Sequence, residues 1–241
     1  MARQVVAGKQ LRRKRGSINP EDIVNGAFEL ADRVGLDNLS MPALGRHVGV
    51  GVTSIYWHFA KKDDLLDVMA DRALSKYALN APFGDAAQWR ESLRSHSQKM
   101  RKTFRSNAIL TDLVLIRGAL SSEAKQLGLE HVEQAVAMLM RAGLSYEDAF
   151  DTYSAITVLV RSSVVLERLY QKTLQLEGDP SIGGPRVVDA KVTPIISGIM
   201  GEGHRIGVAD RTNFEYSLDC ILDHASRIID ENVVAAPTTT A

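Results

Sequence analysis

An all-α fold is what this 241-residue sequence predicts, on three observations. Apolar residues recur at three- and four-residue spacing through most of the chain. Strand-like alternation is scarce, since Val158-Leu159-Val160 sits inside a longer helical pattern. Each periodic segment is bounded by cap and breaker residues.

In order along the chain, residues 1–17 are polar and basic without periodicity and read as a flexible arm. Asn19 is a good N-cap, Pro20 suits the first helical position, and Ile23, Ala27, Phe28, Leu30, Ala31 and Val34 repeat until Gly35, predicting a helix over 20–34. Ser40 caps a short second helix over 41–48, whose Met41, Leu44 and Val48 fall on one face. Gly49-Val50-Gly51 makes a tight turn, and TSIYWHF after it gives a third short helix. The 61–79 segment offers Leu65, Leu66, Met69, Ala73, Leu74 and Tyr77, long enough to link two domains. Past Pro82, helices are expected over about 86–106, 108–118, 122–142, 146–175 and 211–232, with a modest one beginning near Thr193-Pro194. The 177–187 segment, with three Gly and two Pro, reads as a surface loop, and 233–241 as a disordered tail.

Length and composition narrow the function classes. With 45% hydrophobic residues, the chain can bury a core without disulfides or metals, in one large or two unequal domains. Cys220 is the single cysteine, and the opening MARQVVAGKQLRRKR has no apolar stretch resembling a signal peptide, so a reducing cytoplasm is expected. The best membrane-span candidate, Ala155 to Leu169, is interrupted by Thr157, Arg161 and Glu167, so no membrane partner is expected. The zero net charge hides an asymmetry: residues 1–62 hold ten Lys/Arg against five Asp/Glu, leaving the remainder at −5. A basic end on an acidic body suggests that one end meets a polyanion.

Three helices within 40 residues, the second and third joined by a Gly-containing turn, have the shape of a helix-turn-helix reader. Such a helix presents a narrow strip to base edges, with phosphate anchors at either end. Ile55 and Phe59, four apart, would face a small core, leaving Thr53, Tyr56 and Trp57 outward. The alternative is that Tyr56 and Trp57 are ordinary core aromatics, but adjacent positions lie about 100° apart on a helix, so both cannot bury fully. Arg12, Arg13, Lys14 and Arg15 are either a solvated tail or an arm lying along phosphates or in the minor groove.

The segment GLDNLSMPALGRHVGVGVTSIYWHFAKKDDLLDVM resembles the DNA-binding domain of the TetR family of one-component repressors. The stretches LSYEDAFDTYSAITVLVRSSVVLER and FEYSLDCILDHASRII are similar to the C-terminal domain of the tetracycline repressor subgroup. The resemblance implies an Ω-shaped all-α homodimer that binds a palindromic double-stranded operator and is released by a small-molecule effector. It divides the chain into a DNA-binding domain over 18–62 and a ligand-binding and dimerisation domain over 63–232. It places a phosphate contact on Ser40, base-edge contacts on Met41, Pro42, Val52 and Thr53, phosphate or sugar contacts on Tyr56, Trp57 and His58, and a backbone anchor on Lys62. Pro42 stands where the tetracycline repressor has a base-reading arginine, so the operator is expected to differ.

The 146–175 and 211–232 helices carry apolar stripes broad enough for more than one neighbour: Phe150, Tyr153, Ile156, Val160, Val164 and Leu169, then Phe214, Leu218, Ile221, Leu222 and Ile228. They are expected to form the homodimer interface, or else to bury within one subunit. Ligand contacts are expected at Met100, Phe104, Leu110, Leu113, Val114, Arg117, Met138, Tyr153, Thr157 and Arg161, with core packing the alternative for each. Arg117 and Arg161 interrupt apolar faces and need a carboxylate, for which Glu167 is a candidate. Residues 105–118 contain no His to match the tetracycline repressor's metal ligand, so an apolar or amphipathic effector is expected rather than magnesium–tetracycline. No enzyme, cofactor or metal site is expected. His47, His58, His96, His131, His204 and His224 do not fall in HxxxH or HExxH spacing, Cys220 has no basic activator nearby, and GEGHRIG lacks the GxGxxG spacing of a phosphate loop. The competing reading is a helical ligand-binding protein or enzyme without DNA binding.

Overall fold

The computed structural model describes residues 18–75, 83–177, 189–202 and 211–235, which contain helices and no strand. The basic arm, residues 76–79 of the linking segment, nearly all of the 177–187 loop, His204 with most of GEGHRIG, and residues 236–241 lie outside the described residues.

Local sequence chemistry sets the first elements. Helix α1 (Pro20–Val34) begins where Asn19 accepts the Asp22 amide at 2.7 Å and ends at Gly35, whose amide reaches the Ala31 carbonyl. Helix α2 (Met41–Val48) is capped by Ser40, which accepts the Ala43 amide at 3.3 Å. It ends at Gly49 with φ 76°, a left-handed conformation that favours glycine. The two helices approach so closely that a Cβ on Gly26 would lie 2.3 Å from Val48 Cγ1. Helix α3 (Val52–Tyr56) is a single turn, shorter than the TSIYWHF segment, because Trp57 and His58 continue as a turn before α4 (Lys62–Ser75).

The body consists of α5 (Trp89–Arg105), α6 (Ala108–Leu110) running into a π-helical turn over Thr111–Ile116, α7 (Ser122–Arg141), α8 (Tyr146–Glu177), α9 (Pro194–Gly201) and α10 (Arg211–Ala235). Val233, Val234 and Ala235, expected in the tail, belong to the last helix.

Two hydrophobic cores organise these helices. The first joins Ile23, Leu44, Ile55, Leu65 and Met69 of α1–α4 to Phe104, Leu110, Leu113, Val114 and Val164 of the body. Helix α4 therefore packs with α1–α3 in one unit, resting on α6 and the π-helical turn that follows it. The second core gathers Leu93, Met138, Leu139, Tyr153, Ile156, Val160, Phe214, Leu218 and Leu222 from α5, α7, α8 and α10, and half-buried Met100 touches both cores. Helix α8 is long and apolar enough to cross a membrane by length and composition, with mean hydropathy 1.2 in its best window. It is instead a shared wall, since Ile156, Val160 and Val164 bury against the other helices.

Candidate nucleic-acid interface and effector site

The first core turns one face of α3 inward and the opposite face out. Ile55 is fully buried and Phe59 nearly so, as their spacing of four requires. Thr53 and His58 are exposed, Tyr56 is 46% exposed and Trp57 86%. A large aromatic held almost wholly in water contributes little to the fold, and together these side chains form a convex strip with hydroxyl, phenol, indole and imidazole groups. Such a strip fits a major groove and its flanking phosphates. Ser40 and Pro42 are exposed at the start of α2, and Val52 is half-buried against the first core. Lys62, half-buried at the start of α4, has its ammonium pKa lowered by burial and by Arg117. Arg12, Arg13, Lys14 and Arg15 are among the residues not described.

Met41 is 4% exposed and packs in the first core with Leu44.

The expected ligand residues divide between the two cores and the surface. Phe104, Leu110, Leu113 and Val114 are interior to the first core and Met138 to the second. Arg117 donates to Asp37 at 2.6 Å, tying the end of the π-helical turn to the short helical turn after α1. Arg161 lies exposed on the outer side of α8 rather than on an apolar inner face. Glu167, expected to serve one of these two arginines, accepts both Nε and Nη2 of Arg105 at 2.6 Å, which raises the Arg105 pKa. The interface stripes are likewise narrower than expected. Tyr153, Ile156, Val160, Val164, Phe214, Leu218 and Leu222 bury within the subunit, whereas Phe150, Val158, Leu166, Leu169 and Tyr216 stay exposed.

Tyr153 and half-buried Thr157 flank a group that the sequence did not signal. His96 is 4% exposed, with ring centres 5.1 Å from Phe83, 5.8 Å from His131 and 6.3 Å from Tyr153. His96 Nε2 has no hydrogen-bond partner among the described residues. Burial pushes the Tyr153 phenol up, and burial, His131 and Lys99 push His96 down to about 4. The unfolded imidazole takes a proton near 6.5 and the folded one only near 4. The contribution to stability is complete above pH 6.5 and is lost as pH falls toward 4, by about 3 kcal/mol. Urea unfolding at pH 7 and pH 4.5 checks this: His96→Phe should lose less stability than wild type, and equal losses would refute the assignment.

A cavity of about 530 Å³ opens between α5, α8 and α10. Gln98, Arg101, Lys102, Arg105, Glu167, Gln171, Arg211, Phe214 and Glu215 are among its lining, and none of the ten expected ligand residues is. One covalent step from Glu167, Arg168 holds Asp112 through two bonds of 3.0 and 2.9 Å, and Lys172 bridges Asp112 (3.1 Å) to Asp37 (2.9 Å). Burial of Asp112 in the apolar run ILTDLVLI was the available signal for this network, since a carboxylate there requires cations. Among the described residues no cluster of His, Cys, Asp or Glu has the makings of a metal site.

The comparisons with known proteins agree with this architecture. The family model described as bacterial regulatory proteins, tetR family, matches residues 23–69, and that described as tetracyclin repressor-like, C-terminal domain, matches 81–224. An HTH-type transcriptional repressor of Mycobacterium tuberculosis is 56% identical, over 99% of this chain and 94% of the relative. Tetracycline repressor protein class A of Escherichia coli is 25% identical over 90% of this chain and 95% of its own. The Streptomyces coelicolor TetR family protein ActR, in complex with actinorhodin, superposes with a TM-score of 0.63 at 23% identity, covering 88% of this chain and 98% of that one. The chain belongs to the TetR family of bacterial regulatory proteins and is a helix-turn-helix DNA-binding transcriptional regulator.

Proposed function

We propose that this regulator is a cytoplasmic repressor that binds a palindromic operator as a homodimer and releases it when a small-molecule effector binds the body. The observation that carries this reading is the outward strip of Thr53, Tyr56, Trp57 and His58 on a helix whose other face, at Ile55 and Phe59, is locked in a core. Residues 18–62 supply the reading head, with Ser40, Pro42, Val52 and Lys62 beside the strip. Arg12, Arg13, Lys14 and Arg15 would add phosphate contacts, and residues 63–232 the effector and dimer functions.

Dimerisation is supported by the apolar side chains that α8 and α10 leave in water, Phe150, Val158, Leu166, Leu169 and Tyr216. A palindrome requires a twofold reader, with heads about 34–36 Å apart to enter successive major grooves. An effector that prefers a body with another head separation lowers operator affinity by its differential affinity and no more. ActR, of the same fold, is named with actinorhodin bound, which fits an effector role for the body. The test is a mobility shift on the DNA flanking this protein's own gene, paired with light scattering. A shifted complex of two chains is expected, and a dilute monomer that leaves the DNA unshifted refutes the reading.

A further inference from the structure

We infer, on the regulator reading above, that the operator half-site is recognised chiefly through thymine methyl groups, met in the major groove by an apolar cluster of Pro42, Val52 and Thr53. A helix-turn-helix reader brings the opening residues of its second helix to the base edges, while its first helix crosses the backbone. In this chain the opening residues are Val52 and Thr53 of α3, and the start of α2 carries Pro42. Pro42 and Thr53 are exposed and Val52 is half-buried.

The two helices meet closely at this point. A Cβ added to Gly45 of α2 would lie 3.4 Å from the Val52 amide nitrogen and 3.5 Å from its Cα. Gly45 stands three residues after Pro42, on the same side of α2, so the proline ring and the first side chains of α3 border adjoining surface. Proline also has no rotamer freedom to lose when it is covered, so its ring is a preformed apolar contact.

The residue types on this surface exclude the usual pairings for three of the four bases. Guanine is read bidentately by arginine or lysine, adenine by asparagine or glutamine, and cytosine by an acidic side chain. None of these types occurs from Ser40 to Pro42 or from Val52 to His58. Arg46, exposed one turn along α2 from Pro42, belongs to the helix that crosses the backbone and suits a phosphate. Lys61 and Lys62 stand beyond the strip at the start of α4, where anchors flank a reading surface. What the cluster offers instead is methyl and methylene surface, the partner of the thymine C5 methyl. The Thr53 and Tyr56 hydroxyls each add a single hydrogen bond, which does not choose a base by itself. The thymine methyl projects only into the major groove, so minor-groove contacts from the basic arm would not sense it.

The test uses the full chain. Duplexes retained from a random-sequence pool define the half-site, and each thymine in it is then replaced by deoxyuridine, which deletes the methyl and keeps the pairing. At least one thymine in each half-site should lose about fourfold in affinity on this change, and the symmetric pair about 15-fold. Replacing each guanine by 7-deazaguanine, which removes the N7 acceptor, should cost less than loss of the methyl. Pro42→Ala and Val52→Ala should bring the thymine-to-uracil affinity ratio toward unity, and should Val52→Ala fail to fold, Pro42→Ala still decides. Uracil tolerated at every position, a guanine whose N7 matters more than any methyl, or an undiminished ratio in every variant that folds overturns the assignment while leaving the regulator reading intact. A pool from which no duplex is retained defeats the regulator reading and the methyl assignment together, so the two failures are told apart.

Discussion

Thr53→Ala and Tyr56→Ala are each expected to weaken operator binding by about 30-fold or more while leaving helical content and unfolding midpoint close to wild type. Both side chains leave the protein surface rather than enter a core, so their truncation opens no cavity, and surface changes of this kind stay near ±0.5 kcal/mol. Loss of a base or phosphate contact costs about 1–3 kcal/mol per reading head. In a twofold molecule both heads lose it together, so the deficit is about 2–6 kcal/mol, or about 30-fold to 10⁴-fold in affinity. Ile55→Ala provides the contrast. Ile55 is fully buried one position from Tyr56, and its truncation should cost about 2–5 kcal/mol of stability before any question of DNA arises. Mobility shift and thermal unfolding on the three variants separate these effects. Wild-type operator affinity in both Thr53→Ala and Tyr56→Ala would show that α3 is not the reading element.

The head was legible because its determinants are local. Asn19, Ser40, Gly35 and Gly49 act within a turn of the helix ends they set, and the spacing of Ile55 and Phe59 orients α3 without knowledge of anything distant. At Met41 two kinds of reasoning point apart. Its spacing with Leu44 put it on the inner face of α2, whereas resemblance put it against a base, and packing followed the spacing. The cavity between α5, α8 and α10 and the ion network beside it were not legible because their elements meet only in three dimensions. Gln98 and Glu215 are 117 residues apart, and Lys172 and Asp37 are 135 apart. Met and Phe at helical spacing marked the core rather than the cavity, which is lined instead by the basic side chains that α5 carries between its apolar positions. A polar cavity wall and a solvated helix face have the same pattern in one dimension.

Asp112→Asn should lower the unfolding free energy by about 2–4 kcal/mol and weaken the coupling between body and head. The Asp112 carboxylate is 3% exposed and is held by Arg168 and by Lys172, whose side chains are 17% and 22% exposed. The amide keeps the shape but removes the charge, leaving two partly buried cations near Arg117 and Lys62 that share Asp37. Breaking a wholly buried pair costs about 3–5 kcal/mol, and access of water to the two cations reduces that figure here. Arg117→Gln should be milder, about 0–1 kcal/mol, because its bridge to Asp37 is between side chains 34% and 59% exposed. Neutral-range pH will not relax the link. Hydrogen bonds from Lys172 and Arg117 hold the Asp37 pKa below its ordinary 3.8. Its contribution is therefore complete above that value and is lost only as pH falls through the still lower folded value. Denaturant unfolding of the two variants at pH 7, with operator affinity on the same samples, tests the ordering. An Asp112→Asn protein as stable as wild type would mean that the apolar contacts of α6 and α8 hold the head in place without the ion network.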